Sequence, residues 1–429
     1  MENDKIAPHF NLSYRHLTEL PIDLILPKTL NVSNNYLIRL PHDFCLRGDI
    51  NNLQSLYLDS NILTHLPDGM NNLINIRNLH LFHNRLSRLP DDFGGCGGLA
   101  ELRQLLLHNN RLIRLPDGFG APSNLINITQ LNISRNRLTC LPNGFGCPSS
   151  LPNLEILDLS NNCLKCLPEY FGCLGSFINL EQLYISGNEL EYLPEYFGKS
   201  GGLAKLKELY FNNNKLSVLP DGIVNLTNLT LFGAAHNYLK CLPNDIGNLN
   251  KLSFIGLNTN RLVCLPDSIK NLKDVTYIDI SCNELKCLPK DFGNLSAIET
   301  FDVSRNHITC FPENFGNLTD LKDLDISFNR LEYIPNSFRK LTSLEKINIH
   351  GNNDMVHPPK EYHNLSSKKI IKYYKTFNPP QRLLFPERRR KRWKRTKLLY
   401  IPYYTHEEES LLEHIPIEVI GRIEMYVLT

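Results

Sequence analysis

Cysteine is the residue type whose number and spacing in this chain could support chemistry most directly. The sequence contains 12 cysteines. Thiolates bind metals, exchange disulfides or act as nucleophiles. One fixed spacing generates half of these cysteines, each four residues after a recurring asparagine: Cys140, Cys166, Cys241, Cys264, Cys287 and Cys310. We therefore interpret them as a stacked, half-buried column of reduced thiols.

Three short motifs imitate reactive sites. Cys163-Leu-Lys-Cys166 has C-x-x-C spacing, but the repeat fixes both positions and no second pair with zinc-ribbon spacing accompanies it. Gly198-Lys-Ser200 resembles the end of a phosphate-binding loop, yet Leu193 stands where that loop requires glycine. His406-Glu-Glu lacks the second histidine of a zinc-protease helix. The sequence therefore predicts a noncatalytic protein with no catalytic residues, no metal site and no cofactor.

A repeated unit must position any functional side chain. Within the pattern L-x-L-x-x-N-x-L-x-x-L-P, an asparagine returns every 23 or 26 residues, at Asn35, Asn61, Asn84, Asn110, Asn136, Asn162, Asn188, Asn214, Asn237, Asn260, Asn283, Asn306, Asn329 and Asn352. A unit of this length cannot bury its own leucines, so successive units must stack into a solenoid.

One unit shows the physical role of each position. Ile278 and Ile280 are expected to alternate inward in a short strand. Asn283 ends the strand, where its amide can donate to and accept from the backbone of adjoining turns. The remaining positions complete the core and the return segment: Leu285, Leu288, Pro289, Phe292, Leu295 and Ile298.

The return segments carry a specific signature. Residues 242–249 and 288–295 both match L-P-x-x-[FI]-G-N-L. On these motifs, residues from about 12 to 358 resemble the intracellular leucine-rich repeat family, in particular the Ras-group-related type. The resemblance implies an α/β repeat: a curved solenoid with a parallel sheet on the concave face and irregular or short helical convex segments. It also implies a scaffold that binds one or more proteins of unknown identity, such as a small GTPase or another signalling component.

The sequence predicts five segments. They are an N-terminal cap with a degenerate first repeat (1–29), the repeat array (30–358), a C-terminal cap helix (359–380), a basic linker (381–404) and a helical C-terminal segment (405–429). In the first part of the array, the steps of 26 residues add a triplet, as in Phe145-Gly-Cys-Pro-Ser-Ser-Leu151. We expect this triplet to form a loop on the return side.

Candidate binding residues come from the strand positions between the inward leucines, which we expect to be exposed. Aromatic and histidine side chains gather mainly towards the N-terminal half: Tyr57, His80, Phe82, His83, His108, Tyr184 and Tyr210. Such side chains are common anchors of protein interfaces. Further along, the position four before the asparagine holds Asp279, Asp302 and Asp325. This acidic row could attract a basic partner segment or the chain's own tail, and drift of the repeat consensus on a solvated face explains it equally.

A basic run follows the array. Eight of the 46 lysines and arginines lie between residues 388 and 397, which leaves 38 basic against 44 acidic residues elsewhere. The central members of the run are Arg388, Arg389, Arg390, Lys391, Arg392, Lys394 and Arg395. A solvated linker, a nuclear import signal and a patch for polyanions all fit this composition. Sequence-specific reading of nucleic acid is not expected, because no nucleic-acid-binding fold is recognised.

The C-terminal segment resembles the opening of an F-box, through Ile415, Pro416, Glu418, Val419, Ile420 and Ile423. The resemblance implies a substrate adaptor that docks on the linker protein of a cullin-type ubiquitin ligase. A simple terminal helix packed on the array is the alternative interpretation.

The N-terminal residues 1–16 are polar, and no run approaches 18 apolar residues. We therefore expect an intracellular, cytoplasmic protein without a membrane span, which the basic run would direct to the nucleus if it acts as an import signal.

Overall fold

The computed structural model describes residues 9–21, 23–95, 97–363 and 365–376. In this part of the chain, 15 strands of three residues each form one parallel sheet in chain order. The strands are β1 His9–Asn11, β2 Thr29–Asn31, β3 Ser55–Tyr57, β4 Asn78–His80, β5 Gln104–Leu106, β6 Gln130–Asn132, β7 Ile156–Asp158, β8 Gln182–Tyr184, β9 Glu208–Tyr210, β10 Leu231–Gly233, β11 Phe254–Gly256, β12 Tyr277–Asp279, β13 Thr300–Asp302, β14 Asp323–Asp325 and β15 Lys346–Asn348. The sheet follows the concave face of a curved solenoid, as the repeat predicts.

Register is the same along the whole sheet. Ile278 at the centre of β12 stands opposite Phe301 of β13, and the residues before and after it pair in the same way. Each central residue from β2 onward is buried, because its side chain points away from the sheet into the core. Equivalent repeat positions therefore become neighbours in adjacent coils.

The interior confirms the roles predicted for the unit around Asn283. Ile278, Ile280 and Leu285 are completely buried. On the return side, phenylalanines of successive coils stack: Phe119 and Phe145 lie 6.3 Å apart with their planes 5° from parallel. The same stacking continues through Phe93, Phe171 and Phe197 and recurs between Phe292 and Phe315. Adjacent coils thus share one continuous apolar core.

The recurring asparagine joins coils, as predicted. The Asn260 side chain is buried. Its Oδ1 accepts a 3.0 Å hydrogen bond from Leu239 N, and its Nδ2 donates to Ala234 O at 2.8 Å, both in the preceding coil. Nδ2 also donates to Leu257 O within its own coil at 3.0 Å. Because the same pattern repeats through the array, each asparagine satisfies backbone groups that no strand partner reaches.

The return side changes character near Leu219. Before it, in coils with the added triplet, a buried residue adopts a left-handed backbone after a loop of turns, as at Leu125 (φ 50°) and Leu151 (φ 45°). After it, short 3-10 helices predominate. The 3-10 helices are Phe44–Leu46, Ile50–Asn52, Met70–Asn72, Lys199–Gly201, Asp221–Asn225, Ile246–Asn248, Asp267–Asn271, Phe292–Asn294, Glu313–Asn317, Asn336–Lys340 and Lys360–Tyr362.

One α-helix, α1 (Ser367–Thr376), follows the last described coil. Ile370 is buried in the core, and Tyr374 approaches Phe338 with ring centroids 6.4 Å apart. Burial raises the pKa of the Tyr374 hydroxyl. The described residues up to 375 belong to one compact unit. No helix within the described residues is long and apolar enough to cross a lipid bilayer.

Candidate binding surface on the parallel sheet

The sheet places the predicted binding positions in one row. Residues four before each asparagine pair directly from strand to strand, in the order Tyr57, His80, Leu106, Asn132, Asp158, Tyr184, Tyr210, Gly233, Gly256, Asp279, Asp302 and Asp325. Parallel strands lie about 4.8 Å apart, so neighbouring side chains in this row are in contact range.

Exposure of the predicted residues differs from the expectation. Among the ten candidates, His83 alone is exposed, and the others are half-buried. The physical reason is crowding, because side chains of adjacent strands flank each ring or carboxylate at the strand spacing. The face therefore presents closely packed side chains that are each only partly accessible to solvent.

Five of the candidates form one cluster, the aromatic–histidine patch: Tyr57, His80, Phe82, His83 and His108. Phe82 and His108 stack with centroids 4.5 Å apart and an interplanar angle of 7°. Tyr57 meets the His80 ring edge-on at 4.7 Å. His83 approaches both Phe82 and His108 at 5.6 and 5.9 Å. The patch spans three adjacent coils.

A glutamine ladder orients the patch. His80 Nε2 lies 2.6 Å from Gln104 Oε1, and Gln104 Nε2 donates to Gln130 Oε1 at 2.5 Å. These glutamines stand six residues before their asparagines, on the strand position opposite the core. The recurrence of glutamine at this position was visible in the sequence, but its contact with a histidine in the preceding coil depends on side-chain direction.

Burial affects the protonation of His108 in the patch. The pKa of His108 is lowered chiefly by burial, with His83 adding to the effect, so its imidazole favours the neutral form. Its Nδ1 is buried and has no hydrogen-bond partner among the described residues. Nearby, burial raises the pKa of Asp59, while His80 and His83 act in the opposite direction. Burial therefore favours the uncharged imidazole at His108 and leaves its Nδ1 enclosed in the patch without a partner among the described residues.

Tyr184 and Tyr210 form a separate site. Their rings stack at 5.7 Å, and Leu106, Asn132 and Asp158 separate them from the patch along the row. Tyr184 donates a 2.6 Å hydrogen bond to Glu208 Oε2. Burial, followed by this hydrogen bond, raises the pKa of Tyr184.

A second aromatic pair on this face was not predicted from the sequence. Phe254 and Tyr277 stack at 4.9 Å on the same face. A Cβ at Gly256 would lie 3.1 Å from the Phe254 ring, and a Cβ at Gly233 would press on Tyr210. Glycine at these positions lets rings lie flat along the sheet. Aromatic residues six positions before the asparagine were the available indication.

The acidic row is built as predicted, with Asp279, Asp302 and Asp325 opposite one another. Each carboxylate accepts a bond from the serine amide two residues later, at 2.8–3.0 Å. Asn132 makes the same bond to Ser134. This shared turn bond supports the interpretation that aspartate here belongs to the repeat consensus.

Burial is also the main cause of a raised pKa at Asp302, and the charges of Asp279 and Asp325 raise it further.

The cysteine column is half-buried at four of its six positions, as expected: Cys166, Cys264, Cys287 and Cys310. Cys140 and Cys241 are exposed. Each cysteine precedes the residue that stands before the proline, at the rim of the core. Among the described residues, no group of three or more His, Cys, Asp or Glu side chains is placed to hold a metal ion.

The two candidate sites of the tail lie outside the described residues. They are the basic run (Arg388, Arg389, Arg390, Lys391, Arg392, Lys394, Arg395) and the F-box-like residues (Ile415, Pro416, Val419, Ile420, Ile423). The adaptor function therefore stays a prediction from the sequence.

Family models for leucine-rich repeats match four parts of the array. The model named Leucine rich repeat matches residues 310–353, and the two-copy model matches residues 152–198. A single-repeat model matches residues 75–96 and 205–226. Comparison with curated proteins gives no match.

Several solved structures are similar. A leucine-rich repeat protein from Leptospira interrogans is 27% identical with a TM-score of 0.70, over 86% of this chain and 94% of that one. YopM, a leucine-rich effector protein from Yersinia pestis, is 25% identical with a TM-score of 0.57, over 80% and 88%. The plant peptide hormone receptor RGFR1, in complex with RGF2, is 25% identical with a TM-score of 0.55, over 76% and 59%.

Proposed function

We propose that this leucine-rich repeat protein is a noncatalytic scaffold that binds a protein partner on the concave face of its array. The observation that carries the proposal is the aromatic–histidine patch, in which three coils bring Tyr57, Phe82 and His108 into one cluster. Large rings held rigidly by their neighbours lose little conformational entropy on binding, so they suit the centre of an interface.

Two further features support a protein partner. The patch belongs to an open sheet, which offers a long surface rather than an enclosed cleft for a small substrate. Tyr184, Tyr210, Phe254 and Tyr277 extend the aromatic character of the same face towards the middle of the array. We also propose that the protein works inside the cell and that its repeats are of the Ras-group-related type, whose partners include signalling proteins such as small GTPases.

Site-specific photo-crosslinking in cells tests the proposal. The photoreactive residue benzoylphenylalanine replaces Phe82 in the patch or, as a control, Tyr196, an exposed aromatic residue on the return side. We expect a discrete protein adduct from position 82 that mass spectrometry identifies, and none of that mass from position 196.

Two results would contradict the scaffold function. One is the same adduct from both positions, which would indicate non-specific proximity. The other is an adduct from position 196 alone, which would place binding on the return side. Unfolding midpoints of both proteins, measured without irradiation, show whether each variant keeps the native fold.

A further inference from the structure

An unpaired row of arginines borders the aromatic–histidine patch. We define the arginine edge as Arg85, Arg88, Arg111, Arg114 and Arg137. They occupy the first and fourth positions after two successive repeat asparagines and the first position after the next one. All five side chains are exposed. They lie in the segment that follows each strand, so they continue the surface that carries Phe82, His83 and His108.

Hydrogen bonds between coils hold these arginines in register. Arg111 N donates to Leu86 O and Arg137 N donates to Leu112 O, each at 2.8 Å. These bonds place the backbone of one arginine beside the residue that follows the previous arginine. Arg85, Arg111 and Arg137 therefore stack one coil apart, at about the strand spacing of 4.8 Å.

The arginine edge has no charge partner within the described part of the chain. No carboxylate lies within 4.0 Å of any of its guanidinium groups. Asp68, Asp91 and Asp117 follow the prolines that open the return segments, and they too form no such ion pair. Like charges stacked at this spacing repel one another, which an external anion would relieve.

Further along the array, cationic side chains at the same repeat position have partners within the protein. Lys215 pairs with Glu189 of the preceding coil at 3.0 Å. The Arg261 guanidinium lies 4.6 Å from the centre of the Tyr238 ring, also one coil earlier. Lys215 and Arg261 at this repeat position thus have partners within the array, whereas the arginine edge is a run of three successive coils without them.

We infer that the arginine edge binds an acidic segment of the protein partner, while the aromatic–histidine patch beside it receives that partner's apolar side chains. This inference rests on the proposed function and adds the chemical class of the ligand. Arginine forks suit carboxylates because they can donate two parallel hydrogen bonds. An acidic segment also offers several charges along one direction, which matches a row of stacked arginines.

A binding measurement with a defined probe tests the inference. The probe is fluorescent deca-glutamate, and every protein is the full chain with the eight basic residues of 388–397 replaced by glutamine, so that the tail adds no background. The edge variant carries Arg85→Gln, Arg111→Gln and Arg137→Gln. The matched control removes three charges from the same row further along, as Lys215→Gln, Arg261→Gln and Arg330→Gln.

We expect the edge variant to bind deca-glutamate at least tenfold more weakly than its parent, and the control to stay within twofold. Binding to the parent should weaken as salt is raised. Equal losses in the two variants, or no loss in the edge variant, would overturn the inference. Tighter binding of a ten-nucleotide single-stranded DNA that depends on the same arginines would also overturn it, in favour of a nucleic-acid partner.

Photo-crosslinking from position 82 separates this inference from the proposed function. Loss of the partner adduct in the edge variant supports the inference. An adduct that persists in the edge variant overturns the inference and leaves the scaffold function standing. If the parent itself forms no adduct at position 82 yet binds deca-glutamate through its edge, the concave-face function is the part that fails.

Discussion

At the scale of single residues, the amide side chain of the repeat asparagine both accepts and donates hydrogen bonds that join adjacent coils. Asn260 connects Leu239 N, Ala234 O and Leu257 O through one amide. Alanine would leave Leu239 N buried without a partner, whereas Ala234 O and Leu257 O keep the bonds that Asn237 and Asn283 donate to them. A buried unpaired group costs roughly 1–3 kcal/mol, so we expect Asn260→Ala to lower the free energy of unfolding by about 2 kcal/mol. Urea denaturation followed by circular dichroism measures the difference.

Asn258 provides the control for that substitution. It is half-buried in the same coil, and its side chain makes no hydrogen bond in the described structure. Asn258→Ala should change the free energy of unfolding by less than about 0.5 kcal/mol. Equal effects of the two substitutions would show that the asparagine ladder contributes nothing beyond ordinary packing.

The raised pKa of Asp302 leads to a prediction about how stability depends on pH. Its pKa is raised in the folded protein by burial and by its two aspartate neighbours, so folding disfavours the ionised carboxylate. The resulting penalty is present above the folded pKa and disappears as pH falls towards the ordinary value of 3.8. Asp302→Asn keeps an acceptor for Ser304 N and should therefore stabilise the protein at pH 7. The advantage should shrink between pH 7 and pH 4 in urea denaturation.

Asp158 isolates the effect of the neighbouring charges. It accepts the same turn bond, from Ser160 N at 2.9 Å, but stands in the row between Asn132 and Tyr184. Asp158→Asn should give a smaller stabilisation at pH 7 than Asp302→Asn. If both variants gained equally, repulsion along the acidic row would not be the cause.

At the scale of elements, the glycine of the F-G-N-L return segment is required by close packing between coils. A Cβ at Gly293 would overlap the carbonyl oxygen of Asn314 in the next coil. Because that oxygen belongs to the backbone, relief requires the coils to separate. We expect Gly293→Ala to lower the free energy of unfolding by about 1–3 kcal/mol, as chemical denaturation would measure.

Gly48 is the matched position for that test. It lies in a turn where an added Cβ would meet no atom within 4 Å. Gly48→Ala should leave the unfolding midpoint nearly unchanged. A comparable loss at position 48 would mean that the loss at position 293 does not come from the contact with Asn314.

Local periodicity predicted the elements well because each depends on residues close in sequence. The spacing of Ile278, Ile280 and Asn283 specified a strand, its buried face and its end. The 3-10 helices and the left-handed turn at Leu151 were not specified, since the pattern shows only where apolar residues recur. Helix α1 lies within residues 359–380, the segment for which the sequence predicted a cap helix.

The sequence predicted which positions form the candidate site, but it predicted the burial and contacts of their side chains less well. The row from Tyr57 to Asp325 followed from the repeat, but half-burial follows from side chains of adjacent coils, whose directions a sequence does not give. The same limit hid the stacking of Phe254 on Tyr277 and the hydrogen bond of Gln104 with His80. The arginine edge could not be recognised from the sequence. Its arginines differ from other cations of the array in forming no ion pair among the described residues, and a sequence does not show which ion pairs form.

At the scale of the whole molecule, we expect the array and the tail to bind different partners. If the F-box-like segment recruits a ligase, a chain that ends at His406 should lose cullin-ligase subunits and keep the partner of the concave face. Affinity purification of both chains from cells, with mass spectrometry, measures this. Identical partners for the two chains would contradict the adaptor function and leave the scaffold function as it stands.

The direction of the asparagine bonds has a consequence for synthesis of the chain. Each asparagine accepts from and donates to the coil that precedes it, as Asn260 does with Leu239 and Ala234. Since a chain leaves the ribosome N-terminus first, every newly emerged coil lacks its closing amide until about 21 further residues follow. Native structure should therefore advance along the nascent protein one coil behind translation, with a single unfinished coil at its growing end.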